Sequence, residues 1–271
     1  MSSARPAGYL DAIVAWHRRR AAGDQRPLDK LYAQALAMEQ PRGFAKALAR
    51  GGGVSVIAEV KRRSPSKGEL APSLDPARLA VSYAAGGASC LSVLTDSEHF
   101  GGCPEDLVRA RSAVSLPVLR KDFTVAERDV LDARIMGADA LLLIVAALEA
   151  DEVARLHSVA RELSLDVVVE VHDMNELDVA LQSGAKVVGV NQRNLASFEV
   201  DCELAATLCD HIPSDVVRVA ESGVSSPAEV ASLARAGFDA VLVGEALVTA
   251  EDPSGRVAEM VAAGRLEPAR G

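Results

Sequence analysis

The sequence is short of aromatic residues, of lysine, of paired cysteines and of long apolar runs. Aromatics make up 3% of 271 residues, too few for the stacking platforms on which nucleic-acid bases lie. Lys and Arg number 29 against 38 Asp and Glu, a net charge of −9. An acidic chain has no overall electrostatic footprint for nucleic acid or for an anionic membrane, so neither partner is expected, although a local basic pocket remains compatible. The cysteines are Cys90, Cys103, Cys202 and Cys209, with no C-x-x-C pair. The five histidines lie far apart along the chain and form no zinc-ligand spacing. The longest apolar run, Ala140 to Leu148, is nine residues, about half a membrane span. Met1 to Leu10 carries no apolar leader core. These absences describe a reduced, cytoplasmic protein whose cysteines are small core or surface residues.

Hydrophobic residues are 49% and charged residues 25%, an ordinary globular balance. At about 150 residues per domain the length suggests roughly two domains, or one α/β barrel. The first fifty residues read as helices, at Tyr9–Ala22, Leu28–Glu39 and Phe44–Ala49. The triplet Arg18-Arg19-Arg20 reads as a solvated helix end. After Gly53 the period changes. Eight short apolar runs (Val54–Val60, Cys90–Leu94, Pro117–Leu119, Ala140–Val145, Asp166–Val171, Val187–Val190, Val216–Ala220 and Ala240–Val243) alternate with Ala-rich amphipathic stretches. Gly87, Gly137, Gly184 and Gly237 each stand between a helical stretch and the next run, where a left-handed helix cap is expected. Eight such units predict an α/β fold, a (β/α)8 TIM barrel with an N-terminal helical extension, residues 1–50 preceding a barrel over 51–271. A doubly wound open sheet shares the alternation, but no G-x-G-x-x-G follows the first run.

In such a barrel the chemistry sits at the C-terminal ends of the strands, and the polar residues of this chain gather there. The first run ends in Glu59 and Lys61, which share alternation parity. The third ends in Lys121, the fifth in Glu170 and His172, the sixth in Asn191 and Arg193, the seventh in Glu221-Ser222-Gly223 and the eighth in Gly244-Glu245. Two of only six lysines thus stand at strand ends, with two glutamates of opposite charge. A lysine beside another cation would be depressed toward neutrality, and a poorly solvated glutamate would rise to become a usable base. The composition leaves both directions open. Gly223 and Gly244 fall after strands seven and eight, where backbone N–H groups bind phosphate in this fold.

Several segments carry a family resemblance: Ile57-Ala58-Glu59-Val60-Lys61-Arg62-Arg63-Ser64-Pro65-Ser66, Ser92-Val93-Leu94-Thr95-Asp96 with Phe100, and Pro117-Val118-Leu119-Arg120-Lys121-Asp122-Phe123. Val169-Glu170-Val171-His172, Gly189-Val190-Asn191-Gln192-Arg193-Asn194-Leu195 and Ala220-Glu221-Ser222-Gly223-Val224 continue it. Together they resemble the indole-3-glycerol phosphate synthase family, from about Pro41 to about Val248.

The resemblance implies ring closure of 1-(2-carboxyphenylamino)-1-deoxyribulose 5-phosphate with loss of CO2 and water, and no metal or organic cofactor. It implies Lys121 as the general acid on the substrate carbonyl and Glu170 in the later dehydration. Lys61 would hold the anthranilate carboxylate or act as a second acid. Glu59 and Asn191 would position hydroxyls and acid–base groups, Arg193 would support the polar network, and Ser64 would help hold the carboxylate. Phe100, Phe123 and Leu142 would line the aryl pocket. Ser222, Gly223, Gly244 and Glu245 would form the phosphate loops, Glu245 through its N–H because its carboxylate would repel the ligand. Arg62, Arg63 and Lys67 would be steering charges at the rim. The extension would pack over the mouth, with Arg42 and Phe44 as its contacts. The expected partner is a small phosphorylated substrate, met by a monomer. A phosphoribosyl isomerase on a related barrel, or a non-catalytic phosphometabolite-binding protein, is the alternative. Neither needs a Lys–Glu–Lys set on strands one, three and five.

Overall fold

The computed structural model describes residues 9–49, 52–64, 67–193 and 202–265. Pro65, Ser66, Asn194 and Leu195 of the motif segments, and the outermost residues of the extension and barrel ranges, lie outside the described residues. Eight parallel strands close into a barrel in sequence order: β1 (Ser55–Val60), β2 (Cys90–Leu94), β3 (Val118–Lys121), β4 (Ala140–Ile144), β5 (Asp166–Val171), β6 (Val187–Asn191), β7 (Val217–Glu221) and β8 (Ala240–Val243). Closure is made by β1, which pairs with β8 (Ala58 opposite Val243) and with β2 (Val60 opposite Val93). The open-sheet alternative is excluded.

Alternation along each strand splits the apolar residues into two separate cores. Ile57, Cys90, Leu119, Leu142, Val168, Val219 and Leu242 fill the barrel. Their chain neighbours, among them Val56, Leu91, Val118, Leu141, Val169, Ala220 and Val241, pack outward against the helices. A side chain's parity therefore decides whether it meets the lumen or a helix. β3, β6 and β7 each run past the expected apolar stretch to Lys121, Asn191 and Glu221, because ladder hydrogen bonds are made by backbone and tolerate a polar side chain that points into the mouth.

The helix ends follow local chemistry. Asp75 accepts the N–H groups of Ala77 and Arg78 to cap Pro76–Ala85, and Ser226 with Glu229 forms a capping box on Pro227–Arg235. The four glycines after helices all take positive φ, 84° at Gly137 for example. The structure adds helices at Glu245–Val248 and Pro253–Ala263 and a two-stranded ribbon, Arg63–Ser64 with Gly68–Glu69. No described helix is long and apolar enough to cross a membrane.

The N-terminal segment forms α1 (Tyr9–Gly23), α2 (Leu28–Ala37) and α3 (Phe44–Leu48). The expectation that Arg42 and Phe44 touch the mouth is wrong. Phe44, Ala47 and Leu48 join the inner core at the N-terminal ends of the strands. There the Arg42 N–H donates to Asp139 Oδ1 (2.8 Å), just before β4, and the Ala45 N–H to Asp166 Oδ2 (2.9 Å), at the start of β5. The Arg42 guanidinium donates to the carbonyls of Arg111, Val114 and Leu116. So α3 plugs the floor, and only α1 reaches the other end. Nor are Arg18 and Arg20 merely solvated: they bond Glu152 and Asp129 and tie α1 to two barrel helices.

Candidate active site

A cavity of about 540 Å³ opens at the C-terminal ends of the strands, and the fourteen residues to which the resemblance gives catalytic, substrate-binding or phosphate-binding roles line it. They are Glu59, Lys61, Ser64, Phe100, Lys121, Phe123, Leu142, Glu170, Asn191, Arg193, Ser222, Gly223, Gly244 and Glu245. At its floor the Lys121 ammonium donates to Glu170 Oε2 (2.9 Å) and to Glu221 Oε2 (2.8 Å). Asn191 Nδ2 donates to Glu170 Oε1 (3.1 Å). Across the floor Glu59 Oε1 and Lys61 Nζ are 2.6 Å apart, and the Tyr83 hydroxyl anchors this strand end through the Glu59 carbonyl (3.1 Å).

The two directions left open by composition now resolve. Burial alone would push the Lys121 ammonium down, but Glu170, Glu221 and Glu59 outweigh it and the pKa rises. Lys121 is therefore a cation at neutral pH. Burial would raise the Glu170 carboxyl, yet Lys121, His172 and the Asn191 amide bring it below the ordinary glutamate range. Glu221 goes the other way. Burial and the facing Glu170 charge raise it to about 7 against the opposing pull of Lys121. One ammonium cannot fully neutralise two buried carboxylates.

The sequence reading named Glu221 but gave it no role. Its inward parity was visible; its room was not. A Cβ on Gly189 would lie 2.0 Å from Glu221 Oε1, so the glycine of β6 makes the space that this carboxylate occupies. Gly244 does the same on the other side. A Cβ there would meet Glu59 Oε1 at 2.3 Å and Lys61 Nζ at 2.9 Å. That glycine serves the first strand's charge pair as well as the loop after β8.

A family model described as indole-3-glycerol phosphate synthase matches residues 10–260. The chain belongs to this family. A Chlorobium phaeovibrioides protein named indole-3-glycerol phosphate synthase is 50% identical over 242 residues, covering 88% of this chain and 94% of its own. One from Beutenbergia cavernae, with the same name, is 49% identical over 257 residues, 94% of this chain and 95% of its own. Among solved structures, a thiamine phosphate pyrophosphorylase from Pyrococcus furiosus superposes with a TM-score of 0.59 at 17% identity, covering 78% of this chain and 96% of that one. That likeness concerns the barrel fold alone.

In this member of the indole-3-glycerol phosphate synthase family, α1 supplies a wall that motif reading did not name: Tyr9, Leu10 and Ile13 line the cavity. The helix is held by His17, whose Nε2 lies 2.8 Å from Asp96 Oδ2, 79 residues away in the chain. His99 Nδ1 shares the same oxygen at 3.1 Å. The histidines that looked far apart thus include a pair that meets on one carboxylate. Asp96 Oδ1 also accepts the N–H groups of His99 and Phe100. Burial would raise the Asp96 carboxyl, but these donors hold it far below the usual range. The same contacts place two rings that line the cavity: His17 lies 5.1 Å from Phe123 between ring centres, and Phe123 lies 6.1 Å from Phe100. Replacing His17 with Phe is expected to raise KM about tenfold with little change in kcat. Losing a hydrogen bond to a charged group should also cost about 1.5–3 kcal/mol of stability. An unchanged KM in a folded variant would show that α1 does not shape the substrate site.

The expected rim charges divide. Arg62 pairs with Asp106, and Arg63 bonds the carbonyls of Glu98 and His99, so both fasten loops. Lys67 lines the cavity, 3.8 Å from the Glu245 carboxylate. Arg120, next to Lys121, points away from the lumen and donates to Thr95 Oγ1, Asp122 Oδ2 and the Asp129 carbonyl. Its place in the motif is structural.

Proposed function

We infer that this chain converts 1-(2-carboxyphenylamino)-1-deoxy-D-ribulose 5-phosphate to indole-3-glycerol phosphate, a carboxy-lyase reaction of tryptophan biosynthesis. Family membership supports the reaction. The observation that carries it into residues is the Lys121 ammonium at the cavity floor, 2.9 Å and 2.8 Å from two carboxylates.

Ring closure joins the aryl carbon bearing the carboxylate to the ketone carbon. Lys121 hands a proton to the carbonyl oxygen as that bond forms, and its pairing keeps the proton in place until then. Glu221, which ionises near neutrality, is placed to restore that proton through its contact with Nζ. Loss of CO2 returns aromaticity to the ring. The hydroxyl so formed then leaves as water on the proton that Lys121 has regained, while Glu170, kept ionised, takes the proton whose removal completes dehydration. Lys61, steadied by Glu59, faces the departing carboxylate with Ser64, and Asn191 and Arg193 hold the hydroxyl side.

Phe100, Phe123 and Leu142 form the aryl slot. The phosphate lies at the loops after β7 and β8. Ser222 and Gly223 both take positive φ (67° and 75°) and Gln192 Nε2 fixes the Ser222 carbonyl (3.0 Å), so this turn is preset. The amides of Ser225 and Ser226 are spent on Glu229, which leaves those of Gly223 and Val224, with Glu245 and Ala246, as the donors of this reading. Every step is a proton transfer or a bond change within the substrate, so the reading needs no metal and no organic cofactor. It takes the enzyme as a cytoplasmic monomer, with residues 1–50 and 51–271 acting as one unit.

Supplying the carboxyphenylamino-deoxyribulose phosphate and following indole fluorescence tests the assignment directly. Product should accumulate with turnover saturating in substrate. Silence from folded protein at saturating substrate would overturn it.

A further inference from the structure

His172 directly follows the end of β5, two residues beyond Glu170, and precedes Asp173, the N-cap of the helix Met174–Gln182. It does not line the cavity. Glu176, in the first turn of that helix, uses a single oxygen, Oε2, to accept both the His172 backbone N–H (2.7 Å) and ring Nδ1 (3.0 Å). A carboxylate can only accept, so Nδ1 carries a hydrogen. The other ring nitrogen, Nε2, is buried and has no hydrogen-bond partner among the described residues. The group it faces is Glu170 Oε1, 3.5 Å away.

That arrangement discriminates between the two charge states of the ring. With Nδ1 bound to a proton, a neutral imidazole would turn the Nε2 lone pair toward a carboxylate oxygen, which repels. The doubly protonated ring turns an N–H toward it, which attracts. The charge count points the same way. Once Glu221 ionises, Lys121 is one cation against two carboxylates, and a protonated His172 is the second.

We propose that His172 is a positioning residue for the ring-closing reaction: clamped by Glu176, it presents a protonated Nε2 to Glu170 and keeps that carboxylate ionised and directed at Lys121. The proposal rests on the reaction assigned above. The groups that face the relay are Glu170 on β5, Glu176 on the following helix, Glu221 on β7, Lys121 on β3 and the Asn191 amide on β6. Burial alone would lower the imidazole pKa, but Glu176, Glu170 and Glu221 outweigh it and raise it.

The sign of the test follows. Removing the imidazolium raises the pKa of the carboxylates it faces, so Glu170 ionises at higher pH. In His172→Gln the acid limb of the kcat–pH profile should move up by about one pH unit, with activity recovering on the alkaline side. Glu176→Gln, at a half-buried position outside the cavity, should move it in the same direction by less, because the ring then holds its proton less tightly. A limb that stays in place in both variants, with kcat lowered by one factor at every pH, would mean that His172 only packs, and the proposal falls. Ring 15N shifts of His172 in the unaltered enzyme give a readout that needs no substrate. A titration midpoint above that of a free imidazole, about 6.5, supports the clamp, and a midpoint at or below it overturns the clamp even if the enzyme turns over. Absence of turnover at every pH would instead strike the assigned reaction and leave the 15N result standing on its own.

Discussion

Replacing Lys121 with methionine should lower turnover by about three orders of magnitude while the barrel stays folded. Methionine keeps the apolar stem and the length but removes the proton donor. General acid catalysis alone is worth about 10²–10⁴ in rate, and the ammonium also holds two carboxylates, Glu170 at 2.9 Å and Glu221 at 2.8 Å. Without it the two carboxylates face each other uncompensated, and one of them will take up a proton. Glu221 is the one poised to do so, since it already titrates at about 7. Its folded-state pKa lies above the unfolded value of about 4.3. The stability linked to its proton is thus full below that unfolded value and is lost as pH rises through the folded one. In the variant the folded pKa climbs further, so the fold should be firm at pH 6 and weaker at pH 9. Steady-state kinetics and circular dichroism at both pH values check this. Near-native turnover from folded Lys121→Met protein would remove Lys121 from the acid role.

At the opposite end of the barrel, Asp139→Ala should cost stability and spare catalysis. Asp139 is fully buried. It accepts the N–H groups of Arg42 and Val118 at 2.8 Å each and the Arg111 guanidinium at 3.0 Å. One carboxylate therefore joins the floor-plugging segment, β3 and the helix Pro104–Ala113. Alanine leaves a half-buried guanidinium and two amide donors without their acceptor. Each donor left unsatisfied in the interior costs about 1–3 kcal/mol. For a domain of this size that lowers Tm by about 10 °C. The mouth lies at the other ends of the strands, so kcat at 20 °C should stay within about twofold of the unaltered enzyme. Thermal unfolding followed by kinetics on the same sample separates the two effects. A Tm unchanged within error would show that Arg111 and the amides find other partners.

Much of the site was legible because strand parity is local. Glu59 and Lys61 follow Ile57 at intervals of two, and Lys121 follows Leu119 in the same way. Any closed barrel built on those runs must turn them inward. The loops proposed to hold the phosphate were legible from the place of Gly223 and Gly244 after the last two strands, where both line the cavity. The aryl residues Phe100 and Phe123 and the finer roles came through family resemblance, since no periodicity marks them. Other residues escaped for reasons of distance. Nothing local ties His17 to Asp96, which lies 79 residues on. The pattern of Phe44, Ala47 and Leu48 announces a buried face but says nothing of which end of the barrel receives it. Glu221 was readable as an inward side chain, but its role depends on the absent side chain of Gly189 on the neighbouring strand.

The sequence by itself determined the eight-fold alternation and the charged side chains at the ends of its runs, and the β1–β8 pairing closed the sheet into a barrel. Backbone pleating and helical pitch repeat within a few residues, and both can be read along the chain. Tertiary structure alone decided the state of those charges. Whether a lysine rises or falls depends on which carboxylates stand within a few ångströms of it, and Coulomb energy follows distance through space. The same holds for the N-terminal segment, divided between mouth and floor by contacts with residues far along the chain.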